Sequence, residues 1–308
     1  MESFSAILQR NDVLSHNPPP AVIHITTRGS DWLWTVMSID FFSLLIILGM
    51  LYITPRTDRI FHYITVLLTI VTGIAYFTMA SDIGSMGIPV EWVRHDGKVA
   101  GGTRQVFWIR YLDWAITHPL IIFNLLLTAG VYWHTILYTV VLELVYVLML
   151  YVGAIVPDTY RWGYYTIGIV ALALVLENIC WAGVRHANIM GGNIRSLYRI
   201  MVPYILILWI LYPICWGVSE GGNVIPPDSE QIFYGILDLL SKPVLGFILL
   251  LGHRRINITD LDLRLYDRLD RDRIFNEKED HNGNGNTTAV PVPAVAAPAA
   301  NGEPAQQV

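Results

Sequence analysis

Seven runs of about twenty residues with few or no charges, at 32–53, 61–82, 106–129, 132–155, 162–184, 200–218 and 231–251, constrain this chain more than any other feature. A run of that length crosses the hydrocarbon core of a bilayer as a helix, because every backbone N–H and C=O there must find its partner within the segment. Of the 308 residues only 15% are charged, against about a quarter in an ordinary soluble domain, and the mean hydropathy is +0.46. The pattern predicts an all-α membrane protein, a bundle of seven transmembrane helices. It divides the chain into an N-terminal tail at 1–30, a membrane domain at 31–252, a charged juxtamembrane segment at 253–275 and a disordered tail at 276–308.

The loops set the orientation, since Lys and Arg accumulate on the cytoplasmic side. One set of loops holds Arg56, Arg59, Arg185, Arg195, Arg199, Arg254 and Arg255 with Asp58 as its only acid. The other mixes Glu91, Arg94, Asp96, Lys98, Arg104, Asp158, Arg161, Glu220, Asp228 and Glu230. The N-terminus is therefore expected outside and the C-terminus in the cytoplasm. Residues 253–275 alternate acids and arginines around Leu, Ile and Tyr, either a helix at the membrane surface or a solvated extension. From 276 onward Asn, Gly, Pro and Ala dominate, a composition that buries no core. Cys180 and Cys215 each fall in a span, which is neither a disulfide framework nor a metal pattern, and both are expected as small core residues. The first thirty residues carry no signal-peptide pattern.

Of three lysines only Lys242 lies at membrane depth, within "ILDLLSKPVLGFILLLG". A buried ammonium costs at least a few kcal/mol, so it needs a partner or a task. Asp238 stands at i,i−4 on the same helix face, and a structural ion pair is one reading. The other is covalent: a desolvated lysine loses its proton readily and condenses with an aldehyde, and the resulting protonated imine needs a carboxylate beside it. The third run, "RQVFWIRYLDWAITHPLIIFNLLLTAG", supplies a second acid. Arg110, Asp113 and Thr117 share one face, and Asn124 lies about 16 Å further along it. Such a polar stripe reads as an ion or proton path. In the sixth run Trp209, Tyr212, Pro213 and Trp216 put flat rings on one side of a proline kink, which serves packing or a flat ligand.

"RYLDWAITHP" together with "LDLLSK" and "WILYPICWGVSEGG" resembles the microbial (type I) rhodopsins, in particular fungal opsins and the bacteriorhodopsin-type proton pumps, over residues 30–252 or so. The resemblance implies all-trans retinal bound covalently to Lys242, Asp113 as primary counter-ion and proton acceptor, Asp238 as second counter-ion and Arg110 just outside them. It implies a retinal box of Trp114, Trp209, Tyr212, Pro213 and Trp216, with Tyr76 and Thr117 beside the counter-ions. Glu220 and Glu230 match the pair that holds a releasable proton in outward pumps. Membrane lipid, retinal and protons are the implied partners, a homo-oligomer is compatible with them, and nothing points to nucleic acid, a metal or an enzyme. The plasma membrane is expected over an internal one.

Two residues depart from the family pattern. Asn124 stands where proton pumps place a carboxylic donor, and an amide gives up no proton at any useful pH. His118 replaces a usual threonine, and Glu143 in the fourth run falls where an acid commonly faces that threonine, so the two are expected as a buried pair. Asp40 and Glu177 also lie at membrane depth with no role implied, except that Glu177 is a conceivable substitute donor. Three functions stay open: a light-driven outward proton pump with slow cytoplasmic reprotonation, a slow-cycling photosensor that signals through a partner, and a light-gated channel.

Overall fold

A computed structural model describes residues 11–90, 102–254 and 256. The first ten residues, the loop residues 91–101 and nearly all of the segments 253–275 and 276–308 lie outside the described residues. Seven helices are long and apolar enough to cross a membrane. They are α1 (Thr27–Ile53), α2 (Ile60–Ala80), α3 (Trp108–Thr128), α4 (Trp133–Ile155), α5 (Arg161–Met190), α6 (Gly192–Gly221) and α7 (Pro227–His253). Successive helices alternate in direction, so α1, α3, α5 and α7 begin at one face of the bundle, here the N-side, and end at the other, the C-side.

Large apolar side chains stand on the outward faces of the helices, and polar side chains are buried among the apolar core residues inside. On α1, Phe42, Leu45, Tyr52 and Ile53 are exposed while Asp40 and Ser43 are buried. On α2 the buried face carries Thr65, Thr69, Thr72 and Tyr76. Large apolar side chains over the whole outer surface would be a liability in water; surrounded by lipid they are matched to their solvent, and the polar groups must pair with one another inside.

Four of the helices, α1, α5, α6 and α7, run longer than the apolar runs. α1 starts at Thr27, whose preceding residue Thr26 caps it by accepting from Arg28 N–H at 3.3 Å. Asp228, in the first turn of α7, accepts from Thr26 N–H at 2.8 Å and from Thr26 Oγ1 at 2.6 Å, which joins the N-side ends of α1 and α7. Gly191 and Gly192, with φ of +72° and +50°, make the turn from α5 to α6, a left-handed backbone that favours glycine.

The sequence pattern missed a two-stranded antiparallel sheet on the N-side, β1 (Ser85–Pro89) with β2 (Thr103–Phe107), in register Gly87↔Gln105. The third apolar run therefore begins as strand and becomes helix only at Trp108. Residues 11–26 are not a free tail: Ile23 bonds the backbone of Thr103 and Gln105, each at 2.9 Å, and Ile25 is fully buried. Gln105 ties this layer together, accepting from Ile25 N–H and donating to Asp82 and Ser85.

Candidate functional site

Lys242 is fully buried within a π-helical turn of α7, Leu240–Val244. Pro243 has no N–H to give the preceding turn, and a widened turn of this kind interrupts the regular ladder. The carbonyl of Leu240 accepts the Leu245 N–H, five residues on, and also the Tyr204 hydroxyl of α6 at 2.9 Å. Lys242 Nζ donates to Asp113 Oδ2 across the bundle and stands 3.1 Å from Asp238 Oδ1 on its own helix. The i,i+4 neighbour is thus one of two carboxylates that hold this nitrogen.

Both carboxylates have further donors. Asp113 Oδ1 accepts from Thr72 Oγ1 at 3.1 Å. Asp238 accepts from Tyr76 Oη and Tyr212 Oη, each at 2.6 Å, and Tyr212 also lies 2.9 Å from Ser241 Oγ. Thr117 Oγ1 donates to the Asp113 carbonyl at 2.8 Å, so it braces the backbone of α3. A buried charge cluster is stable only where lone pairs and protons are matched in this way.

A set of flat rings adjoins the cluster through Tyr212, which bonds Asp238. Trp114, Trp209, Tyr212 and Trp216 are buried. The His118 imidazole lies close to parallel with the indoles of Trp114 (5.7 Å between centroids) and Trp209 (5.3 Å). Trp216 stacks on Tyr165 at 5.0 Å, and Tyr165 donates to the Pro213 carbonyl at 3.1 Å. Gly153 and Gly221 leave room for Trp216; a Cβ at either would press on its ring.

Toward the N-side a second network follows. Arg110 is buried, donates to Gln231 Oε1, lies 3.8 Å from Glu230 and covers the Tyr234 ring at 4.3 Å. It touches neither Asp113 nor Asp238 directly. Glu230 receives Arg104 Nη2 at 2.6 Å. Glu220, in the π-turn that closes α6, accepts from Ser219, from Tyr111 at 3.1 Å and from Tyr234 at 3.2 Å. Both glutamates are buried in helix ends, and no hydrogen bond joins one directly to the other; Tyr234 and Arg110 lie between their networks.

Toward the C-side the polar content falls. Asn124 is buried, and its Oδ1 has no partner. Thr128 donates to the Asn124 carbonyl at 2.6 Å and lies 3.2 Å from His253 Nε2, whose ring lies tilted against Phe61 at 3.9 Å. His118 Nδ1 and Glu143 Oε1 meet at 2.6 Å between α3 and α4. Cys215 is buried, but Cys180 is only partly so.

Sequence reasoning passed over Thr72, Tyr111, Tyr234, Gln231 and Ser219, and it read Arg104 as a loop charge. Thr72 was legible as part of a Thr65–Thr69–Thr72–Tyr76 stripe. Arg104 was not, because the strand that turns it inward forms only by pairing with β1.

The bacteriorhodopsin-like protein family matches residues 28–256, and the chain belongs to that family. It is a multi-pass membrane protein. It is 46% identical to the opsin-like protein carO of Fusarium fujikuroi over 264 residues, covering 84% of this chain and 86% of that one. The structure of the light-driven proton pump LR (Mac) from Leptosphaeria maculans matches with a TM-score of 0.71 at 32% identity, over 78% of this chain and 99% of that one. Halorhodopsin, a light-driven chloride pump, matches with a TM-score of 0.70 over 76% of this chain and 98% of that one, at 23% identity, a likeness of fold alone.

Microbial rhodopsins hold retinal on a lysine. The residues here fit that group: a buried amine, flat walls for a conjugated chain, and indole nitrogens of Trp114 and Trp209 that bond to no protein atom.

Proposed function

We propose that this protein is a photoreceptor that binds all-trans retinal at Lys242 and works as a light-driven outward proton pump. The observation that carries the reading is Lys242 Nζ held between Asp113 Oδ2 and Asp238 Oδ1. Retinal, when bound, supplies a light-driven isomerisation and an imine whose nitrogen carries a proton. Asp113 is the base in hydrogen-bond contact with that nitrogen. Asp238, tied by two tyrosine hydroxyls, is held in place as the second counter-charge. The N-side is dense in buried acids and arginines and the C-side is sparse, which supports a first transfer toward the N-side, taken here as the outside. Glu220 and Glu230 are the pair from which a proton leaves, and Arg110, Arg104, Tyr111 and Tyr234 hold them in place. The same geometry disfavours an anion as cargo, because two carboxylates already flank the cation. A sensory reading draws on Asn124, whose amide slows the return of the proton.

Illuminated vesicles that contain the retinal-reconstituted chain should show an uncoupler-sensitive pH change, and Lys242→Ala should be colourless and inactive. A pigment that cycles under steady light with no pH change sinks the pump reading. The plasma membrane is proposed as its site.

A further inference from the structure

One buried acid has no part in the networks above. Asp40 of α1 is fully buried, on an inward face shared with Val36, Ser43 and Ile47. Among the described residues it is the one buried acid with neither carboxylate oxygen hydrogen-bonded.

Its depth follows from its neighbours. Trp32 Nε1 donates to the Gln231 carbonyl at 3.0 Å, and Gly235 packs against Trp32 and Val36. α1 and α7 run in the same direction, so one turn beyond Val36 brings Asp40 level with the stretch from Asp238 to Lys242. On the other flank the Phe41 ring meets Gly73, next to Thr72, which bonds Asp113. The charged groups whose field Asp40 feels are Lys242, Asp238 and Asp113. α2 adds Tyr76 and the threonine hydroxyls to that layer.

The other buried acids of this region have donors. Lys242 faces Asp113 and Asp238, Arg104 and Arg110 face Glu230, and Glu220 accepts from Ser219, Tyr111 and Tyr234. A further carboxylate with no donor and no cation of its own is the costly case of a buried charge. A neutral carboxylic acid is not, and it carries a proton to give.

We propose that Asp40 holds a proton in the dark and is the internal donor that restores the proton to Lys242 Nζ after Asp113 has taken it. This rests on the function proposed above. In the step the O–H bond of Asp40 breaks and an N–H bond forms at Lys242 Nζ, leaving a carboxylate opposite a restored cation. Asp40 then recovers a proton from the C-side. Buried hydroxyls mark a route along α1 and α2: Ser43 one turn further, Thr69 and Thr65 on the inward face of α2, and the Thr54–His62 pair at 3.3 Å near the C-side end. Between Asp113 and its C-side end, α3 offers no carboxyl to compete for the role.

The test uses the full chain reconstituted with retinal. Infrared difference spectra after a flash should show a carboxylic C=O band lost as Nζ regains its proton. In Asp40→Asn that band should be absent, and reprotonation should slow at least tenfold, become proportional to bulk proton concentration and be rescued by a small weak acid such as azide. An Asp40→Asn protein that keeps the band, the rate and the pH-independence overturns the inference. If that variant does not fold, Asp40→Glu retains the carboxyl, and its band should shift in frequency; an unshifted band overturns the inference equally. None of these readouts is transport. A wild-type chain that moves no protons while Asp40→Asn still loses the band sinks the pump reading and leaves Asp40 as the donor.

Discussion

His118 Nδ1 and Glu143 Oε1 lie 2.6 Å apart, the one direct polar tie between the inward faces of α3 and α4 among the described hydrogen bonds and ion pairs, and the imidazole sits close to parallel with the indoles of Trp114 and Trp209. The other imidazole nitrogen and the other carboxylate oxygen have no partner. Glu143→Leu would leave His118 with neither nitrogen bonded. If the pair is neutral, the loss should be about 1–3 kcal/mol; if it is ionic, about 3–5 kcal/mol, because a buried charge is left alone. Glu143→Gln keeps an acceptor and should cost less than Glu143→Leu. Denaturant titration of the purified protein measures both, and equal losses for the two variants would remove the hydrogen bond as the cause.

Asn124 is the place to restore a donor. Asn124→Asp puts a carboxyl on the stripe that already carries Asp113 and Thr117. A carboxyl there opens a second route beside the one through Asp40, and the return of the proton after a flash should accelerate at least tenfold, about 1.4 kcal/mol off the barrier. Time-resolved absorption reads this directly. An unchanged decay would place the uptake path away from α3 and strengthen the case for α1 and α2.

The seven spans were legible because lipid exposure enforces long apolar runs, and Lys242, Asp113 and Asp238 were legible because charge is rare at that depth. The hydrogen-bond partner of Lys242 was less so: helix spacing gives Asp238, whereas only the packing of α3 against α7 brings in Asp113. Arg104 lay hidden for a related reason. Its strand is five residues long, and the strand that pairs with it stands across a loop, so no local period announces it. Glu220 and Glu230 read as loop acids because the apolar runs stop short of them, yet α6 and α7 continue through a π-turn and a proline-started first turn and bury both. Asp40 was visible as an oddity, but that it lacks partners is a fact of three dimensions.

Gly183 lies in the π-helical stretch of α5, Asn178–Gly183, and the Tyr198 hydroxyl of α6 occupies the space a Cβ would need. That hydroxyl donates to the Ile179 carbonyl, within the widened turn, at 2.9 Å. Gly183→Ala should displace Tyr198, lose this bond and destabilise the fold by about 1–3 kcal/mol. Tyr198→Phe should abolish the bond without the clash and cost less. Comparing the unfolding midpoints of the two variants checks the order, and a harmless Gly183→Ala would mean that α6 moves aside freely.

Asp82 joins α2 to β1 outside the spans, with φ at +56° and its side chain buried. Burial pushes its carboxyl above the usual carboxylate range, and the hydrogen bond from Gln105 and the nearby His24 only partly oppose this. The sign follows from proton linkage. The folded chain binds this proton at a pH where the unfolded chain has already released it, so folding is favoured as the pH falls. Above the folded-state value the full penalty of an ionised, buried carboxylate is present. It is relieved as the pH drops through that value, and the contribution is flat again below the range of an ordinary aspartate. Asp82→Asn keeps an oxygen for Gln105, tolerates the left-handed backbone and cannot ionise. At neutral pH the variant should therefore be at least as stable as the wild type, and its advantage should shrink as the pH falls through the Asp82 titration. Unfolding midpoints for both chains across the acid range measure this, and parallel profiles would show that Asp82 ionises alike in the folded and unfolded chain.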